Sequence, residues 1–102
     1  MSAYVVMLRE SVTDPAGLEV YAAAARKARA GHEITPVIGY GVVTTLEGEP
    51  LDGILVNRFP STEAALAWYH SPAYQDALPH RQAAADYRVL IVPGVDEAPG
   101  RQ

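Results

Sequence analysis

Three histidines, a scatter of arginines and a few polar residues set inside apolar runs are the chemically competent parts of this chain. His70 and the adjacent pair His80-Arg81 are the acid/base candidates. An imidazole exchanges a proton near neutral pH, and a guanidinium nearby can hold a carboxylate or enolate oxygen. Arg58 and Tyr40 fall on neighbouring predicted strands, which makes them candidates for substrate binding, one as an anion partner and one as a hydrogen-bonding group. Asn57 interrupts an otherwise apolar run and must find a hydrogen-bond partner if it is buried. Each has a plainer reading. His80 can be a solvated helix-start residue, Arg81 an ion-pair partner, and His70 a cation complementing a helix C-terminus. Tyr21, Trp68, Tyr69 and Tyr74 read as core aromatics before they read as a ligand cage.

Other chemistries find less support. The chain has no cysteine, which excludes disulfides, thiolate metal sites and a cysteine nucleophile. His32, His70 and His80 show neither i,i+4 pairing nor an HExxH pattern, so no metal site is expected. Ser61 and Ser71 precede helix starts and read as caps; there is no GxSxG elbow and no glycine-rich phosphate loop. A net charge of −4 with dispersed basic residues argues against a nucleic-acid partner. The one basic cluster, Arg26-Lys27-Arg29, falls near a helix end, where it complements the macrodipole. No apolar run approaches the ~18 residues that span a bilayer. A signal peptide is not recognisable either, so a cytoplasmic protein without a membrane partner is expected.

The elements that must position these residues follow from pattern and punctuation. The 102 residues suit one domain, expected over 1–94, followed by a polar, flexible tail at 95–102. Ala3 to Arg9 is a β-branched, apolar run whose two faces are both hydrophobic, so both must be covered. Asp14-Pro15 opens an alanine-rich helix expected to reach about Ala30, with Gly31 as its stop. Val37 to Leu46 reads as a strand softened by Gly39 and Gly41, and Ile54 to Phe59 as its hairpin partner across the turn Glu47 to Gly53. Ser61 caps a second helix with Ala65, Trp68 and Tyr69 on its buried stripe; Ser71-Pro72 breaks it and starts a short one, and Pro79 is expected to interrupt again. Tyr87 to Val92 is the last strand. The order β-α-β-β-α-β predicts an α+β ferredoxin-like fold, a four-stranded antiparallel sheet with helices on one face. The apolar second face of its strands predicts a homodimer through the sheet face, closing a dimeric α/β barrel.

From Phe59 to Arg81 the chain resembles the domain-of-unknown-function 1330 family (DUF1330) of the dimeric α/β-barrel superfamily. The likeness rests on Phe59-Pro60-Ser61, Ala64-Ala65, Trp68-Tyr69, Ser71-Pro72, Tyr74-Gln75, Arg81 and Ala84, with Leu46-Glu47-Gly48 and Asp14-Pro15 agreeing. It extends from Tyr4 to about Gly94. The chain departs from the family in three places. Glu33-Ile34-Thr35-Pro36 stands where paired glycines are usual, Gly39-Tyr40-Gly41 where Arg-Gly-Gly is usual, and Arg58 where a glutamate is usual. One reading is that a positive charge moved across the hairpin to Arg58; the other is drift of a surface ion pair. The superfamily resemblance implies a small enzyme without a bound cofactor, acting on a carbonyl-bearing or aromatic small molecule by isomerisation, cyclisation, dehydration or oxygenation. The alternative is a non-catalytic dimer that binds a small molecule or supports a partner. Some superfamily relatives hold haem, but no haem signature is present here.

Overall fold

Alternation along β1 (Ala3–Val12) sets the two faces of the sheet, since successive side chains of a strand point to opposite sides. In the computed structural model, which describes residues 2–95, β1 lies inside a four-stranded antiparallel sheet. The other strands are β2 (Thr35–Gly39), β3 (Gly53–Phe59) and β4 (Ala85–Pro93), in the spatial order β2-β3-β1-β4. Ala3, Val5 and Met7 are buried beneath the helices. Their cross-strand partners on that face are Phe59, Asn57 and Leu55 of β3, and Pro93, Ile91 and Val89 of β4. Tyr4, Val6 and Leu8 face the other way.

Three helices cover the first face: α1 (Pro15–Lys27), α2 (Thr62–Tyr69) and α3 (Pro72–Ala84). The ferredoxin-like arrangement is thus present, with the second helix split in two. Ser71 makes the split. Its hydroxyl accepts from the Tyr74 amide at 3.3 Å and donates to the Trp68 carbonyl at 2.7 Å, so it starts α3 and ties down the end of α2. Ser61 caps α2 through the Ala64 amide at 3.0 Å. Trp68 packs 4.2 Å from the Tyr74 ring and 5.4 Å from Phe59, centroid to centroid, at the centre of the core. α1 and α3 meet at Gly17, where a Cβ would come within 3.1 Å of the Ala84 Cβ.

Several expected boundaries are corrected. Pro79 does not interrupt α3, which runs through it. Both Pro79 and Gln75, whose carbonyl loses its helical donor to the proline, are exposed, so water can meet that carbonyl. α1 stops at Lys27 rather than near Ala30, and Gly31 follows in the left-handed region at φ 83°. β2 spans Thr35–Gly39 instead of Val37 to Leu46, because Tyr40 adopts φ 61°, which no strand can continue. Of the expected tail, residues 96–102 lie outside the described residues.

Among the described residues no helix lies over the opposite face of the sheet. Tyr4, Val6, Leu8, Ile54 and Val56 are half-buried there, and Ile38, Leu90 and Val92 are 45–48% exposed. Replacing Ser71 with alanine should lower the unfolding free energy by about 1 kcal/mol in urea titration, the usual worth of an N-cap, since the Trp68 carbonyl keeps the Ser71 amide at 3.1 Å as a donor.

Candidate functional site

The helix side of the sheet holds a cluster of tyrosines and arginines where a purely apolar core was available. Arg81 continues the buried stripe of α3 formed by Tyr74, Ala77, Leu78 and Ala84, and is 4% exposed. Its guanidinium carbon lies 4.9 Å from the centre of the Tyr87 ring and 5.8 Å from that of Tyr21. Among the described residues no carboxylate pairs with it, and its Nε is buried without an acceptor. The Tyr21 and Tyr74 hydroxyls are 2.8 Å apart, as are those of Tyr40 and Tyr87. Arg9 lies 4.3 Å over the Tyr40 ring and is tied to Asp52.

Tyr21, Tyr40 and Arg9 are donors at neutral pH. Burial, reinforced by Tyr74, pushes the Tyr21 phenol far above the ordinary tyrosine range. Burial and the hydrogen bond with Tyr87 do the same to Tyr40, although the nearby arginines oppose both shifts. Burial alone would lower the Arg9 pKa, but its hydrogen bonds to Asp52 and Tyr87 outweigh that and raise it. The cluster therefore offers neutral phenols and fixed cations, an environment that stabilises negative charge on a ligand oxygen.

Cavities open on either side of this cluster. One groove runs along the helix face of β4. Its first part, about 320 Å³, has Val5, Val89 and Ile91 as its floor and Trp68, Tyr69 and His70 along α2. Its second part, also about 320 Å³, is bounded by Arg81, Gln82, Asp86 and Tyr87; Tyr69 and Val89 line both parts. Among the described residues the buried indole Nε1 of Trp68 has no acceptor. On the other side, a cavity of about 190 Å³ separates α1 from the sheet, with Tyr21, Tyr40 and Asn57 in its lining.

The residues singled out from sequence thus divide. His70 and Arg81 share the groove, one in each part. Tyr40 and Asn57 belong to the cavity beneath α1. His80 is exposed on α3, one helical step from the buried Arg81. Arg58 is exposed on the far side of the sheet, beside Glu33 and Thr35. Position 39 pairs with Leu55 and so belongs to the helix side, whereas Arg58 pairs with Tyr4 on the uncovered face. A charge at Arg58 therefore does not replace an arginine at position 39. Arg9 and Tyr87 were not anticipated. The signal was present: Arg9 keeps the phase of Ala3, Val5 and Met7, and Tyr87 that of Val89 and Ile91. Among the described residues no group of three or more His, Asp or Glu side chains is placed to hold a metal ion.

Gly53 makes room for the cluster. A Cβ there would lie 2.9 Å from Tyr40 Cδ1 and 3.0 Å from Arg9 Nη2. Gly53→Ala should therefore lower stability by about 1–3 kcal/mol in urea unfolding. Adding Tyr40→Gly should recover part of the loss, because glycine accepts the left-handed backbone without strain and removes the ring. Additive losses in the double variant would rule out this contact as the cause.

Comparison with known proteins agrees with the architecture. A protein of unknown function from Rhodopseudomonas palustris superposes with a TM-score of 0.74 at 20% identity, over 91% of this chain and 82% of that one. A dimeric ferredoxin-like protein of unknown function from Thermobifida fusca gives 0.65 at 16% identity, over 92% of each chain. SnoaB, a cofactor-independent oxygenase from Streptomyces nogalater, gives 0.60 at 14% identity, over 91% of this chain and 92% of that one. At such identities the likeness establishes the fold alone. No curated protein matches the sequence. Among the described residues no helix is long and apolar enough to cross a membrane. The model of the domain of unknown function DUF1330 matches residues 2–95, nearly the whole chain, and the protein belongs to that family.

Proposed function

We propose that this protein is a small homodimer that binds a carbonyl-bearing anion in the groove between β4 and helices α2 and α3, and acts on it by acid/base chemistry without a bound cofactor. The observation that carries this reading is the Arg81 guanidinium, 4% exposed and without a carboxylate partner among the described residues. Leaving one ion unpaired in the interior costs several kcal/mol, whereas each cation–π contact returns about 0.5–2 kcal/mol. Tyr21 and Tyr87 therefore offset only part of the cost. A ligand carboxylate or enolate oxygen entering from the groove supplies the missing partner.

In this reading His70, at the rim of the apolar part of the groove, takes a proton from carbon next to the carbonyl. The electron pair moves into the carbonyl group, and the resulting oxyanion is held by Arg81. Isomerisation, cyclisation, dehydration and oxygenation of such molecules share this first step. The shared fold of SnoaB, described as a cofactor-independent oxygenase, is consistent with it. His80 and Arg58 take no part in the groove chemistry. A second reading, binding without turnover, is favoured by one detail: the His70 ring makes no hydrogen bond among the described residues to fix its orientation.

Deuterium exchange at the α-carbon of phenylpyruvate and related 2-oxo acids, followed by NMR, separates the readings. The wild type should accelerate exchange, His70→Ala should slow it by about 100-fold or more while still binding, and Arg81→Gln should weaken binding by about tenfold or more. Saturable binding without exchange would leave the second reading; neither binding nor exchange across the series would reject the groove as a site.

The homodimer rests on the apolar sheet face and on relatives described as dimeric. Two copies of that face, pressed together about a two-fold axis, bury it and close a barrel. Sedimentation velocity should give a dimer, and Leu90→Glu, which brings a carboxylate into that interface, should give a monomer.

A further inference from the structure

The cavity beneath α1 lies across the wall of Tyr21, Tyr40, Tyr87 and Arg81 from the groove, and has its own polar equipment. Asn57 stands on the helix face of β3, opposite Val5, and is 6% exposed. Its carboxamide lines this cavity and makes no hydrogen bond among the described residues. An amide with two donors and an acceptor, on a side chain that opens onto a cavity and has no protein partner, marks a position where a ligand or water can complete the bonding.

Charge and shape narrow what that ligand is. Arg26 in the last turn of α1 and Arg29 just beyond its end line the same cavity, and neither pairs with a carboxylate among the described residues. Among the described residues the Arg29 guanidinium donates only to the Ile34 carbonyl, at 3.4 Å. Between them and Asn57 the lining is apolar: Met7 and Leu55 on the sheet, with alanines on the helix above. Those alanines are too short to fill the gap between helix and strand. The Tyr40 ring bounds the cavity and is held there by its bond to Tyr87. The volume of about 190 Å³ is below that of drug-sized pockets.

We infer that this cavity is a second binding site, for a small monocarboxylate with an aryl or branched alkyl body. The carboxylate meets Arg26 and Arg29, the body lies on Met7 and Leu55 against Tyr40, and Asn57 bonds a polar atom of the ligand or a water beside it. The inference does not rest on the groove or on any reaction there.

Benzoate is a suitable probe, with benzamide as its neutral isostere and benzylamine as its cationic one. Titrated into isotopically labelled protein, benzoate should saturably shift the Asn57 side-chain amide and the backbone of Ala25 and Leu55. Benzamide should bind about tenfold more weakly and benzylamine not at all. Ala25→Leu, which fills the cavity without altering a polar group, should abolish the shifts, and Arg29→Gln should weaken binding about tenfold. Asn57→Leu should weaken it as well; should that variant fail to fold, the Ala25→Leu result decides. His70→Ala should leave these shifts unchanged. Shifts confined to Tyr69, His70 and Val89 would assign benzoate to the groove and overturn the proposal. Absence of any saturable shift, equal affinity for benzamide, or benzoate shifts that persist in Ala25→Leu would also overturn it.

Discussion

A guanidinium held between two tyrosine rings joins the layers of this protein. Arg81 comes from α3, Tyr21 from α1 and Tyr87 from β4, so one side chain touches both large helices and the edge of the sheet. Tyr87 then passes the connection on, through its hydroxyl to Tyr40 after β2 and through its cross-strand pairing with Arg9 to β1. A leucine at position 81 would fill the same interior without a desolvation cost. Buried charge is commonly neutral or unfavourable for stability even when paired, and an unpaired guanidinium is worse. Packing alone therefore does not account for Arg81. Under the proposed function, the groove that reaches it gives the charge a use.

The same sheet has two apolar faces with different fates. On the helix side the strands present Val5, Met7 and Phe59 to a closed core, and the polar cluster is confined to the end where Arg9, Gly53 and Tyr87 lie side by side. On the far side Val6, Leu8, Val56 and Leu90 have no helix above them among the described residues. A strand with one wet face alternates apolar and polar residues, and β1 does not. Pairing of that face and chemistry on the helix side are compatible, because the register keeps the two sets of side chains on opposite sides of one backbone.

Much of this was legible in the sequence, where local chemistry decides the outcome. Ser61 and Ser71 announce helix starts because their hydroxyls meet orphan amides, and the alternation of β1 announces its two faces. Less legible was anything set by rotation about a helix or by long-range pairing. His80 and Arg81 are adjacent in sequence, yet α-helical rotation puts one in water and the other in the core. The phase of Tyr74, Ala77, Leu78 and Ala84 contained that information, since Arg81 falls on their stripe. Pro79 misled because its exposed position tolerates the missing bond. The early end of β2 depended on the backbone of a tyrosine, which composition does not reveal.

That tyrosine explains the division of the interior. The family resemblance implies glycine at position 40, which would suit φ 61°, and a tyrosine there costs about 1–3 kcal/mol of backbone strain. The hydrogen bond to Tyr87 returns about 0.5–1.5 kcal/mol and the contact with Arg9 about as much. The substitution is close to neutral for stability, so its structural consequence stands out. With glycine at position 40 the space over Gly53 would open toward Arg9 and Tyr87. Its ring instead completes a wall with Tyr21, Tyr87 and Arg81, leaving His70 and Arg81 on one side and Asn57 with Arg26 and Arg29 on the other. A tyrosine where the family resemblance implies glycine thus stands between two interior spaces, each with its own cations.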